Sequence, residues 1–175
     1  MGPWEKYSQR DKSLIDNKFK ESKNGFMEKL RDVLIEYLTE TVKEVKKRAS
    51  NGSGREILGE VINRPEDVEI GIDRVGEDIL ERILKENQIK ATIYSEPEGR
   101  DIENGNDFYG SIDPFDGSAL FLKGFEHNWY TVLSFYDENK KPIATGIADV
   151  LNEKFYIMNS GHVYLLDQKT GTRKD

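Results

Sequence analysis

Midway along this 175-residue chain the spacing of the apolar residues drops from three and four to two, and that switch restricts the fold more than any other feature. Before it, Phe26, Leu30, Val33, Leu34, Tyr37, Leu38, Val42 and Val45 recur at helical steps and form one stripe. The stripe closes in Lys46-Lys47-Arg48, which suits the negative end of a helix dipole, and then in the glycine-rich loop Asn51-Gly52-Ser53-Gly54. A second helix is predicted from about Asp73 to Asn87, with Val75, Ile79, Leu80, Ile83 and Leu84 on its apolar side. After it the pattern reads as strands: Ala91–Ser95, Phe108–Ile112, Trp129–Tyr136, Ile143–Val150, Lys154–Met158 and Val163–Leu166. Asp137-Glu138-Asn139-Lys140 and Asn159-Ser160-Gly161 are the clearest turns between them. Helices first and strands after, with short connections, predict an α+β fold with two N-terminal helices packed on a largely antiparallel sheet. Residues 1–25 are mixed in charge and weakly periodic, and read as an arm or a short helix ahead of a domain over 26–175.

Charge and composition remove several classes of function. A formal net charge of −7 argues against a nucleic-acid polymer as partner, although bound cations would still admit a small anionic substrate. The absence of cysteine excludes disulfides, thiolate zinc sites and cysteine nucleophiles. Met1 to Lys20 is charged throughout, and no run approaches the roughly 18 apolar residues of a membrane span, so a cytoplasmic protein without a membrane partner is expected.

The chemistry concentrates in Ser111-Ile112-Asp113-Pro114-Phe115-Asp116-Gly117-Ser118-Ala119-Leu120-Phe121. A strand runs into two carboxylates, then Gly-Ser, then a short apolar helix. Pro114 fixes φ and stiffens the turn. Asp113 and Asp116 can then converge, with the carbonyl of Phe115 between them as a third oxygen. Hard oxygen donors select Mg²⁺, Mn²⁺ or Ca²⁺ over soft metals. Gly117 and Ser118 open the helix and leave amide groups free for a phosphate oxygen. The same residues are also ordinary turn and helix-capping chemistry, and the segment alone leaves both readings standing.

Its form resembles the signature of the inositol monophosphatase family, part of a superfamily that includes fructose-1,6-bisphosphatases: Asp-Pro-hydrophobic-Asp-Gly followed by Ser or Thr. Two further elements fall in the order the family shows. Ser95-Glu96-Pro97-Glu98-Gly99 looks like its acidic Glu-Glu loop, and Ile72-Asp73 stands in the place of its Thr-x-x-Asp element. The resemblance covers roughly residues 26–167 and implies the first half of the layered sugar-phosphatase fold. It implies that Glu96 and Asp113, completed by the Phe115 carbonyl, hold a first Mg²⁺ (or Mn²⁺), and that Asp113 and Asp116 hold a second. It implies that Ser118 and Asp73 form a pair that polarises the attacking water, while the amides of Gly117 and Ser118 hold the phosphate. The activity implied is Mg²⁺-dependent hydrolysis of a phosphomonoester, with a small phosphorylated sugar or polyol as substrate. Inositol monophosphate and fructose-1,6-bisphosphate lead; a nucleotide 3′(2′),5′-bisphosphate is the alternative within the class.

The sequence departs from the family twice. The acidic loop reads Glu96-Pro97-Glu98 rather than two adjacent glutamates, with Glu98 as candidate replacement. No Trp-Asp-x-x-Ala element, which in the family supplies a further metal-binding Asp from the second half, follows Gly161. The expectation is therefore a phosphatase N-terminal half lacking its C-terminal domain: it binds metal, turns over little, and self-associates, as a dimer, through uncovered sheet. A non-catalytic metal-binding scaffold or regulatory module, and a purely structural α+β domain, are the competing readings. His127 and His162 are too isolated to be metal ligands, and Arg100 and Lys123 read as surface charge.

Overall fold

A computed structural model describes residues 9–61, 64–96, 102–105, 108–137 and 139–175 of the chain. The first helix, α1, spans Gln9–Asn51, so it begins well before the Phe26 at which its apolar stripe starts. Leu30, Val33, Leu34, Tyr37, Leu38, Thr41, Val42 and Val45 are the buried positions from residue 25 onward, which is one face of a 3.6-residue period. The helix stops where Gly52 turns to φ 74°, and Ser53 N–H reaches back to the Arg48 carbonyl at 3.0 Å.

A hairpin absent from the sequence reading follows: β1 (Ile57–Val61) pairs antiparallel with β2 (Arg64–Ile70) as a separate two-stranded sheet. It delivers the chain directly into α2 (Gly71–Glu86), which buries Ile72, Val75, Leu80, Ile83 and Leu84 against the core. The remaining strands are β3 (Ala91–Ser95), β4 (Ile102–Glu103), β5 (Phe108–Asp116), β6 (Tyr130–Tyr136), β7 (Pro142–Asp149), β8 (Lys154–Asn159), β9 (His162–Asp167) and β10 (Thr172–Lys174). Between β5 and β6 lies one short helix, α3 (Ser118–Leu122).

These strands form a single sheet in the order β10-β9-β8-β7-β6-β5-β3-β4. Every pairing in it is antiparallel except that of β3 with β5, which is parallel. The architecture is thus α+β, as the period switch predicts, with α1 lying on β6, β7 and β8 and α2 on β5. The helix-facing side of the sheet carries Ile93, Ile112, Leu133, Phe135, Ala144, Ala148, Phe155 and Ile157, all buried. Tyr94, Tyr109, Tyr156 and Val163, from the alternate positions, are exposed. The turn expected around Asp137 has its carboxylate accepting from the amides of Asn139 and Lys141 at 2.9 Å each; its Glu138 lies outside the described residues. Among the described residues no helix is long and apolar enough to cross a membrane.

The α1–sheet contact is close because β7 offers a glycine there. A Cβ built on Gly146 would stand 2.9 Å from Leu38 Cδ1 and 3.3 Å from Leu34 Cδ2. Gly146→Val is therefore expected to lower unfolding free energy by about 1–3 kcal/mol through overpacking, read from the urea midpoint at unchanged slope.

Candidate metal centre and water-activating pair

The site is assembled at the point where the parallel pair ends. Ser95 of β3 stands opposite Ile112 of β5, and the Glu96 amide donates to the Ile112 carbonyl at 2.8 Å, one step past the strand end. Parallel pairing puts the C-terminal ends of both strands on the same side, so Glu96 emerges beside Asp113. Antiparallel pairing would have sent them to opposite ends.

Beyond Asp113 the strand bulges. Asp113 pairs with Val132 and Asp116 with Tyr130, with the register shifted between them, so Pro114 and Phe115, both buried, form a bulged loop in the ladder. Phe115 plugs this loop into the core. It packs edge-on against Phe121 and Trp129, which also pack on each other, at ring separations of 5.6, 5.7 and 5.5 Å. Gly117 then turns at φ 121°, and a Cβ there would lie 2.9 Å from the Asn128 carbonyl oxygen. Only glycine meets both the conformation and the space. The first helical hydrogen bonds of α3 run from the Leu120 and Phe121 amides to the Gly117 carbonyl, each 2.9 Å. The amide groups of the residues just before them precede the helical ladder.

From the other side comes α2. Asp73, 3% exposed, occupies its first turn. One carboxylate oxygen accepts from the Ile70 amide at 2.9 Å, closing the helix N-terminus, and the other is 2.7 Å from Ser118 Oγ. The helix-capping role and the partnership with Ser118 are thus both present. Ser118 Oγ also lies 2.9 Å from the Phe115 carbonyl oxygen. The hydroxyl has one proton to donate between these two acceptors.

Two contacts that the sequence reading did not identify hold the arrangement. A Cβ on Gly76 would be 2.7 Å from Pro114 Cβ, so this glycine lets α2 press against the acidic turn. The Tyr37 hydroxyl, fully buried, is 2.7 Å from Thr131 Oγ1, which donates to the Asp113 carbonyl at 3.3 Å. A glycine inside a helical pattern was the available sign of the first. Tyr37 carried none, because it sits in register with the apolar stripe of α1.

The electrostatics follow from this crowding. Burial, and then the charges of Asp116, Glu96 and Asp73, push the Asp113 carboxyl up to about 7, against a hydrogen bond from the Phe115 amide that favours its ionised form. Asp73 is pushed up to about 6, chiefly by burial, with Glu69 and Glu77 adding to it and the bonds from Ile70 and Ser118 opposing. Of the expected ligands, Glu96 and Asp116 are exposed, Asp113 is half-buried, and the Phe115 carbonyl faces Ser118. Among the described residues no three acidic or histidine side chains form a ready-made metal cage. The residues nonetheless fit a hard divalent cation. The donors are all oxygen, and Asp113 retains its proton to near neutral pH because burial, and then the charges of Asp116, Glu96 and Asp73, disfavour its ionised form. Pro97, Glu98 and Arg100 lie outside the described residues. His127 and His162 are exposed and Lys123 is exposed at the end of α3.

No family model and no curated protein matches the sequence. Solved structures do match the fold. The extragenic suppressor protein SuhB of Bartonella henselae superposes with a TM-score of 0.65 at 18% identity, over 79% of this chain and 52% of that one. The MJ0109 gene product, described as an inositol monophosphatase–fructose 1,6-bisphosphatase, gives 0.62 at 24% identity, over 77% and 51%. A Thermotoga maritima IMPase gives 0.60 at 21%, over 78% and 50%. The chain therefore has the fold of these structures and spans about half their length.

A carboxyl whose folded pKa is raised binds its proton more tightly in the native state. Its contribution to stability is complete below the ordinary value of 3.8 and is lost as pH rises through about 7 for Asp113 and about 6 for Asp73. In metal-free buffer the chain is accordingly expected to be more stable at pH 5.5 than at pH 8. Asp113→Asn should remove on the order of 1–2 kcal/mol of that difference and stabilise the metal-free protein at pH 8, as measured by urea denaturation at the two pH values.

Proposed function

We propose that this chain carries the metal-binding and water-activating part of a Mg²⁺-dependent phosphomonoester hydrolase. The observation that carries the reading is the 2.7 Å contact between Ser118 Oγ and buried Asp73, formed beside a carboxyl, Asp113, that already feels Glu96 and Asp116. A capping aspartate or an acidic turn alone would explain one of these features and not their juxtaposition. The fold shared with structures described as inositol monophosphatases supports the same reading.

In this reading Glu96, Asp113, Asp116 and the Phe115 carbonyl hold Mg²⁺, with Mn²⁺ as substitute. The cation supplies Lewis-acid charge for the water and for the phosphoryl oxygens. Ser118 accepts a hydrogen bond from the attacking water and passes its own proton toward Asp73, whose charge keeps the hydroxyl oriented. The Gly117 and Ser118 amides face the phosphate. The substrate is a small phosphorylated sugar or polyol of the inositol monophosphate or fructose-1,6-bisphosphate type, met in the cytoplasm, and the protein works as a dimer. A metal-binding scaffold or regulatory module without turnover is the second reading.

Calorimetry with Mg²⁺, paired with phosphate release from a panel of phosphomonoesters, separates them. Binding in the millimolar range or tighter is expected, weakened about tenfold or more in Asp113→Asn and kept in Ser118→Ala. Mg²⁺-dependent phosphate release that falls about 100-fold in Ser118→Ala identifies the hydrolase. Binding without release from any substrate leaves the scaffold, and no binding at millimolar Mg²⁺ defeats both.

A further inference from the structure

Helix α2 buries a second acid, one turn beyond Asp73. Glu77 is 1% exposed, on the side of the helix that otherwise buries Leu80 and Leu84. An apolar side chain would fill such a position at lower desolvation cost, so the carboxylate calls for a reason.

Its contacts supply one. Glu77 Oε1 accepts a hydrogen bond from Ser95 Oγ at 2.6 Å, and Oε2 lies 3.3 Å from Arg74 Nε. The Arg74 guanidinium also binds Glu69, on the strand leading into α2. Ser95 is the last residue of β3 and is 8% exposed. The next residue is Glu96, whose amide bonds to Ile112. The end of β3 is therefore fixed twice: by the backbone to β5, and by the Ser95 side chain to α2. An extended chain alternates sides at each residue. Pinning the Ser95 side chain into the helix face consequently sends the Glu96 side chain the opposite way, out to the acidic cluster.

We infer that Glu77 is a positioning residue for that cluster: acting through Ser95, it sets the direction in which Glu96 leaves β3 toward Asp113. The inference rests on the reading of Glu96 and Asp113 as cation ligands. Glu77 itself touches neither cation nor substrate. Arg74 stands at one carboxylate oxygen, 3.3 Å from Oε2, and the other oxygen is left to the serine hydroxyl.

Mg²⁺ calorimetry on Ser95 variants tests it, with thermal melting to confirm folding, since Glu77→Ala is a large change in a buried position. Ser95→Ala is expected to weaken Mg²⁺ binding about tenfold. Ser95→Thr, which keeps the hydroxyl, should restore it. In a Glu96→Gln background Ser95→Ala should cause no further loss, because the group it directs is already gone. A role confined to stability would lower the melting temperature in both backgrounds and leave Mg²⁺ affinity untouched. An unchanged affinity in Ser95→Ala, or an equal loss in both backgrounds, overturns the inference while leaving the proposed function standing. Failure of the unmodified chain to bind Mg²⁺ overturns the proposed function, and this inference with it.

Discussion

The parallel pairing of β3 with β5 is the constraint on which the site depends. In a sheet otherwise antiparallel, it is among the described residues the one place where two strands end side by side with their side chains advancing in the same direction. A parallel pair requires a return crossing, and the chain makes it through β4, which pairs back onto β3 at the sheet edge. The result is that Glu96 and Asp113 come together as consecutive products of one ladder rather than as the tips of unrelated loops. The bulge that follows adds Asp116, and α2 adds Asp73, whose charge also reaches Asp113.

Such a cluster opposes folding. Two carboxylates about 4 Å apart repel by roughly 4 kcal/mol at an effective dielectric near 20, and burial of Asp113 and Asp73 adds desolvation to that repulsion. The surrounding structure offsets this with apolar packing and with directed hydrogen bonds. Phe115, Phe121 and Trp129 anchor the turn from beneath, and the Phe115 amide, the Ile70 amide and Ser118 donate to the buried carboxylates. Functional sites commonly retain local conflict of this kind, which the remainder of the fold has to outweigh.

How much of this was legible in the sequence depends on range. The apolar stripe of α2, the alternation in β6, β7, β8 and β9, and the turn at Asn159-Ser160-Gly161 are local and were readable from period and turn chemistry. The β1–β2 hairpin was not, because it forms its own small sheet and leaves Ile57 and Leu58 exposed. The early start of α1 at Gln9 was hidden for a related reason, since its first turns lack the stripe that marks the rest. In the site, the Asp113–Ser118 motif could be read directly. The partnership of Ser118 with Asp73, 45 positions away, came only through the family resemblance, and geometry now places the two in contact. Tyr37, Thr131 and Glu77 gave no local sign of their roles, because each acts on a residue distant in sequence, and Gly76 showed only as a glycine inside a helical pattern.

Those residues hold the acidic turn in place. The Asp113–Ser118 segment is held from three directions: by Tyr37 through Thr131 at the Asp113 carbonyl, by the α2 backbone at Gly76 against Pro114, and by Asp73 at the Ser118 hydroxyl. Two of the three holds belong to α2, the helix that also reaches Ser95 through Glu77. A shift of α2 along its axis would disturb the Asp73–Ser118 contact, the acidic turn and the end of β3 together. The geometry of the site is therefore a property of how α2 and α1 seat on the sheet. Substitutions at that seat, far from any carboxylate, would therefore reach the Asp73–Ser118 contact and the acidic turn without altering the motif itself.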